Sequence, residues 1–232
     1  MTARELVVSP PAMAALTVVA FALAELLGKR LRSPLAHPVL VAVLLVIAAC
    51  KGLDVDGETY AKGGRYVSLL LGPSVVALGV TLHDRLPMLA ERAKRVLLAI
   101  AVGGAVGVLT AAGVARLLGA PSAIVATLAP KSVTTPIAMG IAERTGGLPS
   151  LAAAIVITVG IVGAAIFPWL LRVMGVRDRT AWGLAMGAAA HGVGTARAIE
   201  EGPDEGAASA VALCLNGIVT AALAPIVVRI LS

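Results

Sequence analysis

Two prolines six residues apart, Pro130 and Pro136, break what would otherwise read as one apolar helix. Between them stand Lys131, Ser132, Val133, Thr134 and Thr135, and apolar runs flank the pair at 124–128 and 137–141. Proline removes a backbone donor and clashes with the preceding turn, so a helix ends or kinks there. The surroundings decide what such a break means. Of the 232 residues, 59% are hydrophobic and 14% charged, with a mean hydropathy of +0.96. Globular domains hold roughly 45–50% apolar residues. A soluble domain of this length cannot bury that excess, so the class is an all-α polytopic membrane protein. In lipid each exposed backbone polar group costs several kcal/mol, so irregular backbone survives only where it lines a cavity or packs on protein. A lysine at that depth is costly in the same way and marks a candidate site.

Apolar spans recur along the chain at 12–27, 38–50, 66–82, 96–118, 121–142, 151–171, 182–190 and 207–230. Polar or charged stretches separate them: a basic loop at 29–32, a polar loop at 51–62, charged residues at 83–95, basic residues at 172–179 and acidic ones at 200–205. Aromatic residues make up only 3% while glycine numbers 25, the composition of transmembrane helices whose backbones approach closely. The net charge of +6 sits in short loops, as orientation signals do, and is no sign of nucleic-acid binding. Cys50 and Cys214 lie in apolar runs and read as small core residues. The first apolar run ends in no small-residue cleavage site and reads as a retained span rather than a signal peptide.

With the basic loops at 29–32, 85–95 and 172–179 on the cytoplasmic side, the 121–142 segment is expected to dip into the membrane and return at Lys131–Thr135. That gives about seven crossings, with 182–197 counted among them. The alternative is a full crossing with a broken centre. The segment from Gly72 to Gly79, with Pro73 and Ser74, echoes the one from Pro130 to Ile137. Paired interruptions of this kind point to a transporter built from inverted repeats around a midplane site, with an elevator-like movement. Chance similarity of short Gly, Pro and Ser strings is the competing explanation. The whole chain, 1–232, reads as one transmembrane domain.

Two constellations carry chemistry. At the first, Lys131 supplies a compact cation, Ser132, Thr134 and Thr135 supply hydroxyls, and Pro136 suits the first turn of the following half-helix. A helix N-terminus, a lysine and hydroxyls together suit an anion. The competing reading lets Lys131 snorkel to the interface. At the second, His191-Gly192-Val193-Gly194-Thr195-Ala196-Arg197, the glycines permit irregular backbone, His191 can titrate near neutrality, and Arg197 can fork onto a carboxylate. A histidine satisfied by a carbonyl and an interfacial arginine beside Glu200 and Glu201 are the plainer alternatives. Ser74 joins the site if the break at Gly72-Pro73 is real. Asn216, alone in the last apolar run, reads as an amide bridging helices. No nucleotide, hydrolase or zinc signature is present, so an enzyme and a bound cofactor or metal are not expected.

The strings PKSVTTPIA at 130–138, GLAMG at 183–187 leading into His191–Arg197, and PSVVAL at 73–78 resemble the signatures of the LrgB/CidB family. The resemblance covers nearly the whole chain. It implies a multi-pass protein of the bacterial inner membrane that partners a small LrgA/CidA-type membrane protein. Members are described as holin- or antiholin-like regulators of murein hydrolases and lysis, and a plant relative is a plastidic glycolate/glycerate translocator. Bacterial members are associated with pyruvate. Two functions are therefore expected to compete: a secondary transporter of small monocarboxylates such as glycolate, glycerate, pyruvate or lactate, with His191 carrying a coupled proton, and a lysis regulator with no substrate. The glycine-dotted 96–118 helix is a candidate homodimer face within the lipid.

Overall fold

The computed structural model of the chain describes residues 8–31, 38–70 and 90–231, with the single positions 73, 76 and 83. Ser74 and most of the 72–79 segment lie outside the described residues, so the echo of the Pro130–Ile137 break is not addressed by them. The described residues are helical throughout, with no strand. The chain separates into two units, residues 1–79 and 80–232.

In the first unit, α1 (Pro10–Leu31), α2 (Pro38–Gly52) and α3 (Gly57–Ser68) pack together. Both α1 and α2 start on proline, which the first turn tolerates, and end in lysine or arginine, which complement the negative end of the helix. The polar loop expected over 51–62 ends at Asp56, and the third span expected from Tyr66 begins inside α3. The reason is local. The Asp56 carboxylate accepts from the Thr59 amide at 2.6 Å and starts a helix there, with Glu58 in its first turn. Gly63 of α3 lies against Met13 and the Pro10 carbonyl of α1, where a side chain would not fit. Tyr60 and Thr17 hydrogen-bond across the same contact at 2.9 Å.

The second unit holds α4 (Ala93–Leu117), α5 (Ser122–Leu128), α6 (Thr135–Thr145), α7 (Pro149–Val173), α8 (Arg179–Glu201) and α9 (Pro203–Leu231). Helices α4, α7 and α9 have 25, 25 and 29 residues. At ~1.5 Å per residue each exceeds the ~30 Å hydrocarbon core. With α1 they are the four helices among the described residues that are long and apolar enough to cross a membrane. Seven or eight crossings, as expected from hydropathy, are thus not reached among the described residues.

Two helical hairpins pack among α4, α7 and α9 of this unit. In the first, α5 and α6 turn at 129–134, and the chain comes back so that the Leu148 amide donates to the Thr127 hydroxyl at 2.9 Å. Gly146, in the left-handed conformation at φ 78°, ends α6, and Gly147 packs on the Thr127 backbone. Val125 and Ala126 of α5 and Ile141 of α6 share a core with Val108 and Ala112 of α4 and Ala224 of α9.

The second hairpin is α8 itself, and it corrects an expectation. The 182–197 segment was counted as a crossing, but the helix reverses at His191, whose backbone takes φ 42°, ψ −132°. Gly183 and Gly187 lie on the carbonyls of Glu205 and Ser209, so the first half of α8 runs with α9. Thr195 reaches Ser209 at 2.9 Å and Ile199 packs on Gly206, so the second half runs against it. Each half is about twelve residues or fewer, ~18 Å, too short to cross. The second half joins α9 through Gly202 alone.

Ion pairs fix which ends lie together. Arg92 meets Asp178 at 2.8 Å, and Arg179 lies 3.9 Å from Asp204 and 3.7 Å from Glu205. The starts of α4, α8 and α9 therefore share one end of the unit, with the 172–179 loop and the 200–205 turn both there. By helix length, the α4–α5 and α6–α7 connections lie at the other end. The two hairpins thus enter this unit from opposite ends, and their tips approach each other inside it.

Candidate functional site

The tips meet at one side chain. Asn216, near the middle of α9, is 1% exposed. Its Nδ2 donates to the Ser132 carbonyl in the first tip at 2.9 Å and to the Ala188 carbonyl just before the second tip at 3.0 Å. The Ser132 carbonyl sits in the irregular turn and the Ala188 carbonyl in the last turn before the break at His191, and the two amide protons tie them together. Asn216 Oδ1 is fully enclosed and takes no hydrogen bond from the protein. It rests over Gly104 of α4, at a spot 2.5 Å from where a Cβ on that residue would be. Only glycine admits this approach.

Beside Asn216 opens a cavity of about 450 Å³. Lys131 and Ser132 line it from the first tip, Gly103, Gly104 and Gly107 from α4, and Leu184, Ala185, Ala188 and Ala189 from the first half of α8. The Lys131 ammonium donates to the Ser132 hydroxyl at 3.0 Å. That hydroxyl lies over Gly107, 3.8 Å from its would-be Cβ. Lysine and serine adopt this position because the chain between Leu128 and Thr135 is not regular helix: Ala129 and Lys131 amides still bond back to Val125 and Leu128, and then Thr134 turns extended at φ −68°, ψ 152° to start α6. Pro136 falls in the first turn of α6, where it was expected.

The other expected site residues are placed as follows. Thr134 and Thr135 are half-buried at the start of α6 and are not on the cavity wall, and Thr134 makes no side-chain cap. His191 is 4% exposed, and its Nε2 lies 2.9 Å from the Val156 carbonyl of α7, against Gly160, rather than facing the cavity. Thr195 donates to the His191 carbonyl at 2.9 Å and shares a hydrogen bond with Ser209, which holds the second tip shut. Gly194 packs on the Met186 carbonyl across the hairpin, and Gly192 has open space around it. Arg197 lies at the open end of the second hairpin, forked onto Glu200 at 3.0 Å and onto Glu201. Of the expected residues, Lys131 and Ser132 come together in one cavity. Thr134 and His191 do not line it.

Two contributors were missed. Asn216 does bridge helices, as a lone amide in an apolar run suggests, but its place on the cavity wall has no sequence signal. Gly103, Gly104 and Gly107 of α4, the helix expected as a homodimer face, line the cavity. Chemically, the described residues offer one cation, one hydroxyl and the Asn216 amide on a half-open and otherwise apolar pocket. That suits a small anion held by charge-assisted hydrogen bonds.

Comparison with known proteins follows the same lines. A family model described as the LrgB-like family matches residues 17–230. An uncharacterized protein of Haemophilus influenzae is 32% identical over 216 residues, covering 93% of this chain and 94% of that protein. The uncharacterized protein YwbG of Bacillus subtilis is 32% identical over 210 residues, covering 90% and 93%. A Bacillus cereus protein named antiholin-like protein LrgB is 31% identical over 210 residues, covering 90% and 91%. No solved structure matches.

Proposed function

The chain belongs to the LrgB-like family, and from that footing we propose that it is a secondary transporter of small monocarboxylates in the bacterial inner membrane. The observation that carries the reading is the cavity of Lys131 and Ser132 at hairpin tips tied by Asn216. A lysis regulator has no use for a half-buried lysine and a hydroxyl on a pocket beside two hairpin tips, and a cation drawn partly out of water is by default a functional group. In this reading both hairpins re-enter the membrane, and irregular backbone is tolerated at their tips because it lines the chamber. Broken helices meeting at mid-depth are the usual setting of a transporter site. The carboxylate binds Lys131 and the Ser132 hydroxyl. Release of the Ser132 and Ala188 carbonyls from Asn216 frees the tips to part, one toward each side. No covalent step is involved.

Uptake of labelled glycolate, lactate and pyruvate into proteoliposomes, with and without a pH gradient, tests this. Wild type is expected to show saturable flux, and Lys131→Ala to lose at least tenfold of it while remaining folded. Absence of saturable flux in wild type sinks the reading.

A second reading is favoured by the name of the Bacillus cereus relatives, antiholin-like protein LrgB. It makes the chain a regulator of lysis acting with a small LrgA/CidA-type partner, as a homodimer or larger assembly. Lys131→Ala distinguishes the two, because a regulator that works through helix packing keeps its effect on lysis when the charge is removed.

A further inference from the structure

The reversal of α8 rests on one residue. His191 holds φ 42°, ψ −132°, a backbone conformation that glycine adopts freely and residues with a Cβ rarely do. Gly192 follows directly and Gly194 stands two places on, yet neither has its φ in the left-handed range. A glycine at position 191 makes the same turn without strain. A histidine there needs something to hold it, and its own ring supplies the hold.

The ring is seated on α7. Its Nε2 lies 2.9 Å from the Val156 carbonyl, and because a carbonyl only accepts, Nε2 carries the hydrogen and donates it. The place where a Cβ on Gly160 would be is 2.6 Å from the ring Cε1 and 2.8 Å from Nε2. The seat is therefore a slot whose floor must be glycine. From α9, Ser209 meets the Thr195 hydroxyl at 2.9 Å, and Thr195 donates to the His191 carbonyl at 2.9 Å. The tip is thus held twice, by its ring to α7 and by its carbonyl through Thr195 to α9. Ala188, whose carbonyl is tied to Asn216, lies one turn earlier in α8.

We infer that His191 is a strained pivot: its seat on α7 holds the second tip in a backbone that relaxes when the ring leaves the slot. The tip then has two arrangements, seated and released. Release turns the end of the first half of α8 and loosens the tie between Ala188 and Asn216. The inference rests on the packing of α7, α8 and α9, and it stands whether the chain carries a substrate or regulates lysis.

Thermal unfolding and hydrogen exchange of the full chain in lipid nanodiscs test it. In ordinary helical backbone alanine is more stable than glycine, and at a strained pivot that order reverses. His191→Gly is expected to melt about 3 °C above His191→Ala. Exchange of the amides at 188–196 is expected to rise about tenfold in His191→Ala and to stay within about threefold of wild type in His191→Gly. Gly160→Ala fills the slot while keeping the strained histidine. It is expected to raise the same exchange about tenfold alone, and less than about twofold when combined with His191→Gly. If Gly160→Ala alone fails to fold, rescue by His191→Gly supports the seat and absence of rescue overturns it. His191→Ala melting at or above His191→Gly overturns the inference, as does exchange at 188–196 that Gly160→Ala leaves unchanged. A fold lost in His191→Ala but kept in His191→Gly supports it. A fold lost in both overturns it, because the ring then does more than balance strain.

Discussion

Single atoms decide whether the hairpin tips can exist. Replacing Asn216 by alanine leaves the carbonyls of Ser132 and Ala188 without donors in a buried place, an effect of ~1–3 kcal/mol for each group fully orphaned. Thermal unfolding in detergent is expected to show a clear loss for Asn216→Ala. Measured membrane hydrogen bonds average ~0.6 kcal/mol, so a loss confined to that size means that relaxed backbone or water re-satisfies both carbonyls. The glycines of α8 make a sharper contrast. Gly187→Ala places a methyl on the Ser209 carbonyl and is expected to destabilise by ~1–3 kcal/mol, whereas Gly192→Ala meets open space and is expected to stay within ~0.5 kcal/mol of wild type. Comparing the two melting temperatures checks the close helix contact directly. The sequence marked both glycines alike; spacing alone cannot tell a glycine that admits a backbone from one that faces a void.

Elements differ in how openly they announced themselves. The first hairpin was legible because proline leaves a chemical trace: Pro130 and Pro136 forbid continuous helix whatever the tertiary context. The second has no proline at its turn. Its reversal lies in one residue, His191, held at φ 42° by contacts that appear only after folding, namely the Val156 carbonyl and the Thr195 hydroxyl. A glycine-dotted helix and a folded-back one therefore look the same in sequence. The base of this hairpin is set by charge. Asp178 caps α8, accepting from the Ala181 amide at 2.8 Å, and pairs with Arg92. The capping hydrogen bond first, and the Arg92 guanidinium after it, hold its carboxyl below the usual carboxylate range. A depressed folded-state value contributes stability above the ordinary pKa of about 3.8 and loses it as pH falls through the lower, folded value. Both partners are about half exposed, so the contribution stays under ~1 kcal/mol. Asp178→Asn keeps a capping side chain but removes the charge; its melting temperature is expected to depend less on pH between 5 and 3 (roughly, the window of carboxylate titration) than that of wild type. An identical slope in both proteins means that the pair contributes nothing.

For the molecule as a whole, the sidedness of the second unit is the measurable claim. Orientation rules treat each loop's charge separately, and so the acidic 200–205 stretch was assigned away from the basic 172–179 loop. In the fold they lie together because Arg179 faces Asp204 and Glu205. The arrangement predicts that single cysteines at Gly175 and Gly202 label from one side of the membrane and those at Gly119 and Gly146 from the other, in a background with Cys50 and Cys214 replaced. Labelling of Gly175 and Gly202 from opposite sides means that α8 crosses after all. The all-helical, apolar class was legible from hydropathy. The fold-back of the 182–197 stretch at His191 was not, since a twelve-residue half-helix and a short span carry the same residues.

The donor that closes both tips arrives last during synthesis. Asn216 lies on the final helix, 84 residues after Ser132 and 28 after Ala188. In the re-entrant reading proposed above, until α9 leaves the ribosome and enters the bilayer the turns at 129–134 and at His191 have open carbonyls, each costing ~1–3 kcal/mol when buried without a donor. The nascent chain must therefore keep both tips wet, or shielded by the insertion machinery, and settle them in one late step. A chain ending at Gly202 is expected to be cleared by membrane proteases within minutes in a pulse-chase experiment, and co-expression of residues 203–232 as a separate peptide is expected to lengthen its lifetime only when position 216 is asparagine.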